Sequence, residues 1–318
     1  MAQARPTPVR RRRHRLADDP VVPPAPSPVD LHTHTTRSDG VLAPGALVAA
    51  AHAVGVRILA ISDHDTLAGY RELVGGGEGP SGLPAGLQLI PAVEINAVTR
   101  PGLDLPDGEL HVLGYGVDPA DDAFEASLAR QREARRVRFW RTVARLRELG
   151  LSIDRQVDGL DPSDEDALGR PTIGRALIAA GHAASVEDAF SRLIGRGGPG
   201  YVPREGLGPV EAIGSIRRAG GLASLAHFGE APSHLPLLEE LRDHGLGGLE
   251  VHYRSFAAAT VEALREVAST LRLRPTGGSD YHGDGITYAE QHAALWVPLE
   301  VGEGLLAALG QPVREITR

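Results

Sequence analysis

Short apolar runs alternate along most of the chain with longer amphipathic segments, a pattern typical of folds in which strands and helices alternate. The predicted strands are residues 29–31, 57–62, 87–93, 110–113, 222–226 and 273–278. Helices are predicted at residues 44–54, 209–219, 235–244 and 257–270, each closed by a glycine or followed by a new apolar run. The order of these elements predicts an α/β barrel.

The alternation is interrupted after Gly116. Residues 119–205 instead contain a long arginine-rich helical stretch, a loop rich in aspartate and glycine, and two short helical segments. We interpret 119–205 as a helical cap inserted into the barrel. The cap would separate a first barrel part, residues 29–118, from a second part, residues 206–318.

The long helix of this cap is predicted at residues 124–149. Its arginines, from Arg130 to Arg147, are expected to form a solvated face, with Trp140 and Leu146 turned toward the core.

The first 28 residues are rich in arginine and proline, and such a composition buries too little apolar surface to fold. We predict a disordered tail there. A nucleic-acid contact through Arg10–Arg13 is one interpretation, and a solvated tail without that role is the favoured one.

Nine side chains of metal-ligand type lie at or near the ends of the predicted strands. They are His32, His34, Asp39, His64, Glu94, His111, His227, Asp280 and His282. Side chains at the carboxyl ends of successive barrel strands meet in space. Strand residues two apart point to the same side, so His32 and His34 can hold one ion, and Glu94 can bridge two ions with its two oxygens.

The alternative for each of these histidines is an ordinary core or surface residue, which is our interpretation of the other seven histidines of the chain. Imidazoles and carboxylates at buried strand ends are costly without a compensating ion, however. We therefore predict a polynuclear site with two or three divalent ions. The chain has no cysteine, and this ligand set suits Mn, Zn or Fe, with Mn favoured.

Four short motifs carry a family resemblance: His-x-His at 32–34, Ser-Asp-Gly at 38–40, Asp-His-Asp-Thr at 63–66 and Gly-Ser-Asp-x-His at 278–282. With Glu94, His111 and His227, they make the chain similar to the polymerase and histidinol phosphatase (PHP) superfamily from about residue 29 to 297. The resemblance implies a distorted TIM-like (β/α)7 barrel of the PHP type with a helical insertion domain. One departure is Phe228, which follows His227 where family members usually have proline.

Within that superfamily, residues 169–177 and 200–204 most resemble the branch of nucleoside 3′,5′-bisphosphate phosphatases and short-RNA 5′→3′ exonucleases. The resemblance implies three ion sites: one held by His32, His34, Glu94 and Asp280, a second by Glu94, His111 and His227, and a third by Asp39, His64 and His282. It further implies that a metal-activated hydroxide, held by Glu94, Asp280 and His227, is the nucleophile, and that Asp63 and Asp65 orient ligands.

Four residues of the insertion are candidates for binding the substrate: Arg170, Arg204, Arg196 and Tyr201. Arg170 precedes Pro171, which marks a helix start, and helix starts attract anions. A guanidinium can also grip a phosphate with two parallel hydrogen bonds. The alternative for each is a surface contact, which is the favoured interpretation for Arg196 and Tyr201.

These features predict a metal-dependent phosphoesterase that acts on nucleoside 3′,5′-bisphosphates, on 5′-phosphorylated short RNA, or on both. The alternatives are a histidinol-phosphate-type or other small-molecule phosphatase and, from another class, a catalytically silent metal-binding PHP module. The chain of 318 residues has a formal charge of −8, which argues against a duplex DNA surface.

No apolar run is long enough to span a membrane, and no secretory signal is recognisable, so we expect a cytoplasmic enzyme with a small phosphorylated substrate as its partner. The sequence leaves the oligomeric state open.

Overall fold

The computed structural model describes residues 26–75, 83–99, 105, 108–160, 169–283 and 285–312. Within these residues the chain forms a seven-stranded sheet in which the strands lie in sequence order. The strands are β1 (Val29–Asp30), β2 (Ile58–Ile61), β3 (Gln88–Val98), β4 (Glu109–Tyr115), β5 (Leu222–Leu225), β6 (Gly248–Tyr253) and β7 (Arg274–Gly278). Strand β4 is antiparallel to both of its neighbours, and the other neighbouring pairs are parallel.

The sheet curves until its two edges meet. Leu31 N–H donates to the Gly277 carbonyl over 3.0 Å, and Asp280 N–H donates to the His32 carbonyl over 2.7 Å. This approach requires glycine at position 278, because a Cβ atom there would lie 2.4 Å from the Cβ atom of His32. The result is a nearly closed seven-strand barrel, which confirms the predicted fold class.

Two strands differ from their predicted form, and a third was not predicted. Strand β3 continues past Glu94 to Val98, so Glu94 lies within the strand rather than after it. His111 lies near the beginning of β4, because this strand runs in the opposite direction and reaches the same rim of the barrel with its start. Strand β6 has no counterpart in the predicted pattern.

The helices are α1 (Pro44–Ala53), α2 (Ala68–Val74), α3 (Asp122–Glu148), α4 (Asp154–Val157), α5 (Arg170–Ala179), α6 (Val186–Ala189), α7 (Pro209–Arg218), α8 (Leu235–Asp243), α9 (Ala258–Leu271), α10 (Tyr288–His292) and α11 (Leu299–Ala308). A π-helical turn, Phe190–Ile194, follows α6, and a 3-10 turn, Ala231–Ser233, precedes α8. Helices α1, α7, α8 and α9 correspond to the four predicted for the barrel. None of the helices in the described ranges has the length and apolar composition needed to cross a bilayer.

The segment between β4 and α7 is helical, as predicted, and packs around an apolar cluster that includes Phe139, Leu146, Ile173 and Leu177. Its long helix α3 begins at Asp122, where the Asp121 carboxylate accepts a hydrogen bond from the Phe124 N–H over 2.9 Å. This separate cluster supports an inserted cap; the boundaries at 119 and 205 remain a prediction.

The prediction that the arginines of α3 form a solvated face was wrong in part. Arg135 is 8% exposed and Arg138 is 5% exposed. Both lie on the same stripe of the helix as Leu146, which is buried as predicted, whereas Trp140 is only partly buried. Two cationic groups therefore lie inside the molecule, and their partners are carboxylates of the barrel.

The predicted tail falls almost entirely outside the described residues, since the structure describes the chain from residue 26 onward. Ser27 differs from the prediction, because its side chain is fully buried and its hydroxyl accepts a hydrogen bond from Val297 N–H over 3.0 Å. The folded region thus includes at least this residue of the predicted tail.

Candidate active site

The nine metal-ligand-type side chains converge at one rim of the barrel. Their ligating atoms form three groups, and within each group these atoms all lie within 4.8 Å of one another. The groups are His32, His34, Glu94 and Asp280; Glu94, His111 and His227; and His34, Asp39, His64 and His282. His34 joins the third group in addition to the three residues expected there.

Glu94 lies between the first two groups. Its Oε2 atom is 3.3 Å from His32 Nε2 and 3.2 Å from His34 Nε2. Its Oε1 atom is 2.7 Å from His111 Nδ1 and 3.3 Å from His227 Nε2. Burial by itself raises the pKa of Glu94, but the surrounding imidazoles outweigh burial and hold this pKa well below its usual range. The carboxylate is therefore ionised and faces imidazoles on both sides.

The site contains buried polar atoms that no hydrogen bond within the described residues satisfies. They include His32 Nε2, both ring nitrogens of His34, His64 Nδ1, Asp39 Oδ1 and Glu94 Oε2. Each such atom costs free energy when it is buried without a partner. Cations held between imidazole nitrogens and carboxylate oxygens would satisfy all of them at once, so the side chains present fit divalent metal ions.

The backbone is strained at the same place. His227 has φ of 30° and Asp280 has φ of 50°, values that non-glycine residues rarely adopt. Asp65, beside His64, has φ of 55°. Strain of this kind persists only where the surrounding structure enforces it, and it is typical of functional sites.

Asp63 supports the loop that carries His34 and Asp39. Its Oδ1 atom accepts hydrogen bonds from Thr35 N–H and from the Ser38 hydroxyl, both over 2.7 Å. Its Oδ2 atom accepts the Thr35 hydroxyl, also over 2.7 Å. These contacts fit the orienting role expected for Asp63.

Asp65 has different partners from those expected. Its Oδ2 atom accepts hydrogen bonds from Arg135 over 2.8 Å and from Arg204 over 2.9 Å. The contacts that the structure gives this carboxylate are therefore to guanidinium groups, and it joins the end of β2 to the cap.

Four arginines line the cavity in front of the three groups: Arg135, Arg138, Arg170 and Arg204. Arg138 donates to Glu109 Oε1 over 2.7 Å, and Arg170 Nη2 lies 3.5 Å from the same oxygen. Burial alone raises the pKa of Glu109, but Arg170, Arg204 and Arg138 outweigh it and lower that pKa. The wall thus contains four cationic groups against the carboxylates of Asp65 and Glu109.

Arg196 and Tyr201, the other two candidates for substrate binding, do not line this cavity. Arg196 Nη1 donates to the Leu105 carbonyl over 2.9 Å. The Tyr201 ring lies beneath Arg138, whose guanidinium carbon is 5.7 Å from the ring centroid. Arg196 therefore has a structural contact outside the site, and Tyr201 contacts one of the cavity arginines from outside the cavity.

The cavity has a volume of about 430 Å³, within the range that holds small organic ligands. Its wall is apolar at Phe139, Ile173 and Phe190, all in the cap. The two remaining walls are the arginines and the three ligand groups. Such a cavity can hold a polyanionic substrate that also has an apolar or aromatic part.

Two known proteins are similar in sequence to most of this chain. The 5′-3′ exoribonuclease Rnm of Salmonella typhimurium is 34% identical over 290 residues, which cover 89% of this chain and 94% of that protein. The 3′,5′-nucleoside bisphosphate phosphatase of Chromobacterium violaceum is 28% identical over 263 residues, covering 81% of this chain and 88% of that protein. No family model matches the chain.

A solved structure from Bifidobacterium adolescentis, named a metal-dependent phosphoesterase, has a TM-score of 0.70 and 30% identity over 87% of this chain and 95% of that one. The chain belongs to the PHP superfamily. This PHP protein is a metal-dependent phosphoesterase, as its motifs predict. The interpretation as a catalytically silent module is set aside.

Phe228, the departure from the usual PHP sequence, leaves the preceding histidine at the site. The Phe228 side chain is 5% exposed and packs into an apolar cluster of the barrel that includes Leu225 and Leu238. Its ring centroid lies 5.3 Å from that of His234. His227 still lies 3.3 Å from Glu94. A phenylalanine is thus accommodated as a core residue without displacing the neighbouring imidazole.

Several residues of this PHP site were not predicted from the sequence: Arg135, Arg138, Glu109, Asn96, Tyr253 and Glu250. Asn96 contacts His111 Nε2 over 2.9 Å, and the Tyr253 hydroxyl donates to Asp280 Oδ2 over 3.0 Å. The sequence contained one signal that the two arginines of α3 are buried. Arg135 and Arg138 lie in the apolar stripe of this helix, where an unpaired charge would be costly.

Proposed function

We propose that this phosphoesterase hydrolyses a phosphate ester in substrates that carry a second phosphate, namely nucleoside 3′,5′-bisphosphates or 5′-phosphorylated short RNA. The observation that carries the proposal is the cationic wall of Arg135, Arg138, Arg170 and Arg204, which lines the same cavity as the ligand groups. The names of the two relatives, an exoribonuclease and a nucleoside bisphosphate phosphatase, support the same substrate class.

The nine rim side chains are proposed to hold two or three divalent ions, with Mn favoured. The first ion would have His32, His34, Glu94 and Asp280 as ligands; the second, Glu94, His111 and His227; the third, Asp39, His64, His282 and His34. Such ions, when bound, make a hydroxide nucleophile available near neutral pH and neutralise phosphoryl oxygens. Glu94, Asp280 and His227 are the residues proposed to surround the attacking oxygen.

The side chains of the cavity are proposed to contribute by orienting the substrate. Arg170 and Arg204 are proposed to bind the phosphate that does not react, together with Arg135 and Arg138. Binding energy from that phosphate would hold the reacting phosphorus at the rim, which lowers the entropic part of the barrier. The apolar wall at Phe139 and Phe190 gives the nucleoside a dry surface to contact.

The charge balance of the cavity supports a dianionic group there. Arg135 and Arg204 are paired with Asp65, and Arg138 and Arg170 with Glu109, so two carboxylates are shared among four guanidinium groups. A phosphate between them would be held by charge-assisted hydrogen bonds, which are stronger than neutral ones. A monophosphate such as an aryl phosphate would use the ligand groups alone.

The test is a turnover panel with the chelator-stripped protein reconstituted with Mn. The panel contains a nucleoside 3′,5′-bisphosphate, a 5′-phosphorylated RNA tetramer, histidinol phosphate, an aryl phosphate and a cyclic phosphodiester. The highest kcat/KM is expected for the bisphosphate or the RNA. A preference for histidinol phosphate or for the cyclic diester would overturn the proposed substrate while leaving the phosphoesterase chemistry intact.

A further inference from the structure

Glu250 is a carboxylate on β6 with no exposed surface, and it lies behind the ligand groups. Its Oε1 atom is 3.1 Å from His32 Nδ1. Its Oε2 atom accepts a hydrogen bond of 2.6 Å from the backbone N–H of His227. The two oxygens therefore contact residues from two different ligand groups, one on each side of Glu94.

A neutral imidazole carries one proton, and its position decides which nitrogen can bind a metal ion. A carboxylate accepts hydrogen bonds and cannot donate them, so Glu250 requires the proton of neutral His32 to be on Nδ1. His32 Nε2 is then unprotonated, and it faces Glu94 Oε2 at 3.3 Å and Asp280 Oδ1 at 3.4 Å. This is the nitrogen that points into the first ligand group.

The second contact holds a strained residue. His227 has φ of 30°, a conformation that costs free energy for a residue with a Cβ atom. The short hydrogen bond from its N–H to Glu250 stabilises that conformation and keeps its ring toward Glu94, where His227 Nε2 lies 3.3 Å from Oε1. One buried carboxylate thus contacts one residue of the first group and one residue of the second group.

We propose that Glu250 is a positioning residue for the metal centre, which sets the tautomer of His32 and the backbone of His227 and thereby the affinity of two adjoining ion sites. This inference rests on the proposed metal ligands. It assigns a role to a residue of β6 that touches neither substrate nor ion.

The substitution Glu250→Gln tests the inference with almost no change of shape. Both partners of Glu250 are N–H donors, and they contact different oxygens. A glutamine has one acceptor oxygen and one NH2 donor, so it must turn its donor toward either His32 or His227. The first orientation forces the proton of His32 onto Nε2, and the second removes the hydrogen bond that stabilises His227.

Asp30 provides a matched control, because it is also a fully buried carboxylate on a barrel strand, β1, and is not a member of the ligand groups. Its Oδ1 atom accepts from Ser279 N–H over 2.8 Å and from His32 N–H over 3.4 Å, and its Oδ2 atom accepts the Tyr288 hydroxyl over 2.7 Å. A hydroxyl can reverse its role and accept a hydrogen bond from an amide. Asp30→Asn therefore replaces a buried carboxylate by an amide that can still make every hydrogen bond of Asp30. Glu250→Gln makes the same chemical change but must lose one of its two hydrogen bonds.

The experiment measures Mn affinity by calorimetry and bound Mn per chain by emission spectroscopy for the stripped full chain, alongside the thermal unfolding temperature of the metal-free forms. Glu250→Gln is expected to weaken Mn binding by roughly 10- to 100-fold, the usual effect of removing a partner of a metal-binding imidazole. The Mn affinity of Asp30→Asn is expected to lie within about threefold of the wild-type affinity, a range that allows for a small general effect of the substitution.

Wild-type Mn affinity in Glu250→Gln would overturn the inference, and so would equal losses of affinity in both variants. If Glu250→Gln does not fold, Glu250→Asp replaces it. That variant keeps both acceptor oxygens but withdraws them by one carbon, so an affinity about tenfold below the wild type is expected, and unchanged affinity would count against the role. Absence of Mn binding in the wild type would instead contradict the proposed metal centre itself.

Discussion

Arg204 donates a hydrogen bond of 2.9 Å to Asp65, a residue 139 positions earlier in the chain. Arg204 lies where the cap returns to the barrel, and Asp65 follows His64, a proposed metal ligand, in the segment after β2. Both side chains are buried. This pair therefore ties the wall proposed to bind the second phosphate to the rim that holds the ligand groups.

The first prediction concerns the stability of this pair. Asp65→Asn leaves Arg135 and Arg204 buried without their common carboxylate, and removing one partner of a buried ion pair typically costs about 3–5 kcal/mol. Asparagine tolerates the positive φ of position 65, so the substitution changes charge rather than backbone. Urea unfolding of the metal-free protein measures the loss.

The control for that prediction is Asp154→Asn, which removes the carboxylate of an exposed pair with Arg147 on the same cap. Little change in the free energy of unfolding is expected, since solvent screens exposed pairs. Equal, small effects of the two substitutions would mean that water already solvates the arginine wall.

Glu94→Gln is expected to lower both metal content and turnover by orders of magnitude. The reason is that Glu94 lies between two ligand groups and offers one oxygen to each, so the variant loses a negative charge between two proposed cations. Bound Mn per chain and kcat on an aryl phosphate provide the measurements. Exposed Glu205→Gln serves as the control. A variant with wild-type metal content and rate would rule out the shared bridge.

Asp39→Asn separates a three-ion centre from a two-ion centre. Asp39 contacts His282 Nε2 at 3.3 Å, His64 Nε2 at 3.7 Å and His34 Nδ1 at 3.8 Å. Asp39 is the only carboxylate of the third group, so its neutralisation should remove that ion first and lower bound Mn by about one equivalent per chain. An unchanged metal count would leave only the two ions that share Glu94.

Arg170→Ala is expected to discriminate between substrates. A nucleoside 3′,5′-bisphosphate should lose about ten- to a hundredfold in kcat/KM, the effect of removing one charge-assisted contact to a phosphate. An aryl phosphate, which has no second phosphate, should be nearly unaffected. Arg192→Ala, which removes an exposed cap arginine paired with Asp188, is the control. Equal losses on both substrates would assign Arg170 to the reacting phosphate or to the fold.

The pH dependence of stability should contain a contribution from His252 on β6. This side chain is 5% exposed, and burial, with a smaller effect of Arg265, lowers its pKa from 6.5 to about 4. His252 therefore binds a proton less readily in the folded protein than in the unfolded chain. The stability from neutral His252 is therefore complete above pH 6.5 and is lost as the pH falls toward 4.

Chemical unfolding of the metal-free protein at pH 7 and pH 4 gives the measurement. His252→Gln should make the decrease in stability over this interval smaller than in the wild type by about 3 kcal/mol. Parallel decreases in both proteins would show that His252 accepts its proton without hindrance in the folded state.

The sequence by itself determined the chemistry of the rim. His32 and His34, and likewise Asp280 and His282, are two residues apart in the chain, so their closeness in sequence already brings both members of each pair to one rim. The alternation of strands and helices then predicts that these pairs meet, because the ends of barrel strands share a rim. This reasoning holds even for His111, although its strand runs the opposite way.

Only the tertiary structure decided where the remaining charges lie. Arg135 on α3 is 70 residues from Asp65, and Glu250 on β6 is 218 residues from His32. An arginine on a helix stays in solvent unless a carboxylate from a distant part of the chain offsets the cost of burying its charge. A glutamate on a strand likewise faces the interior only if distant N–H groups donate hydrogen bonds to it. The free energy of burying a charge depends on partners that the fold supplies. Local pattern therefore predicted which side chains gather at the rim, while the fold determined which buried charges contact them and which wall faces them.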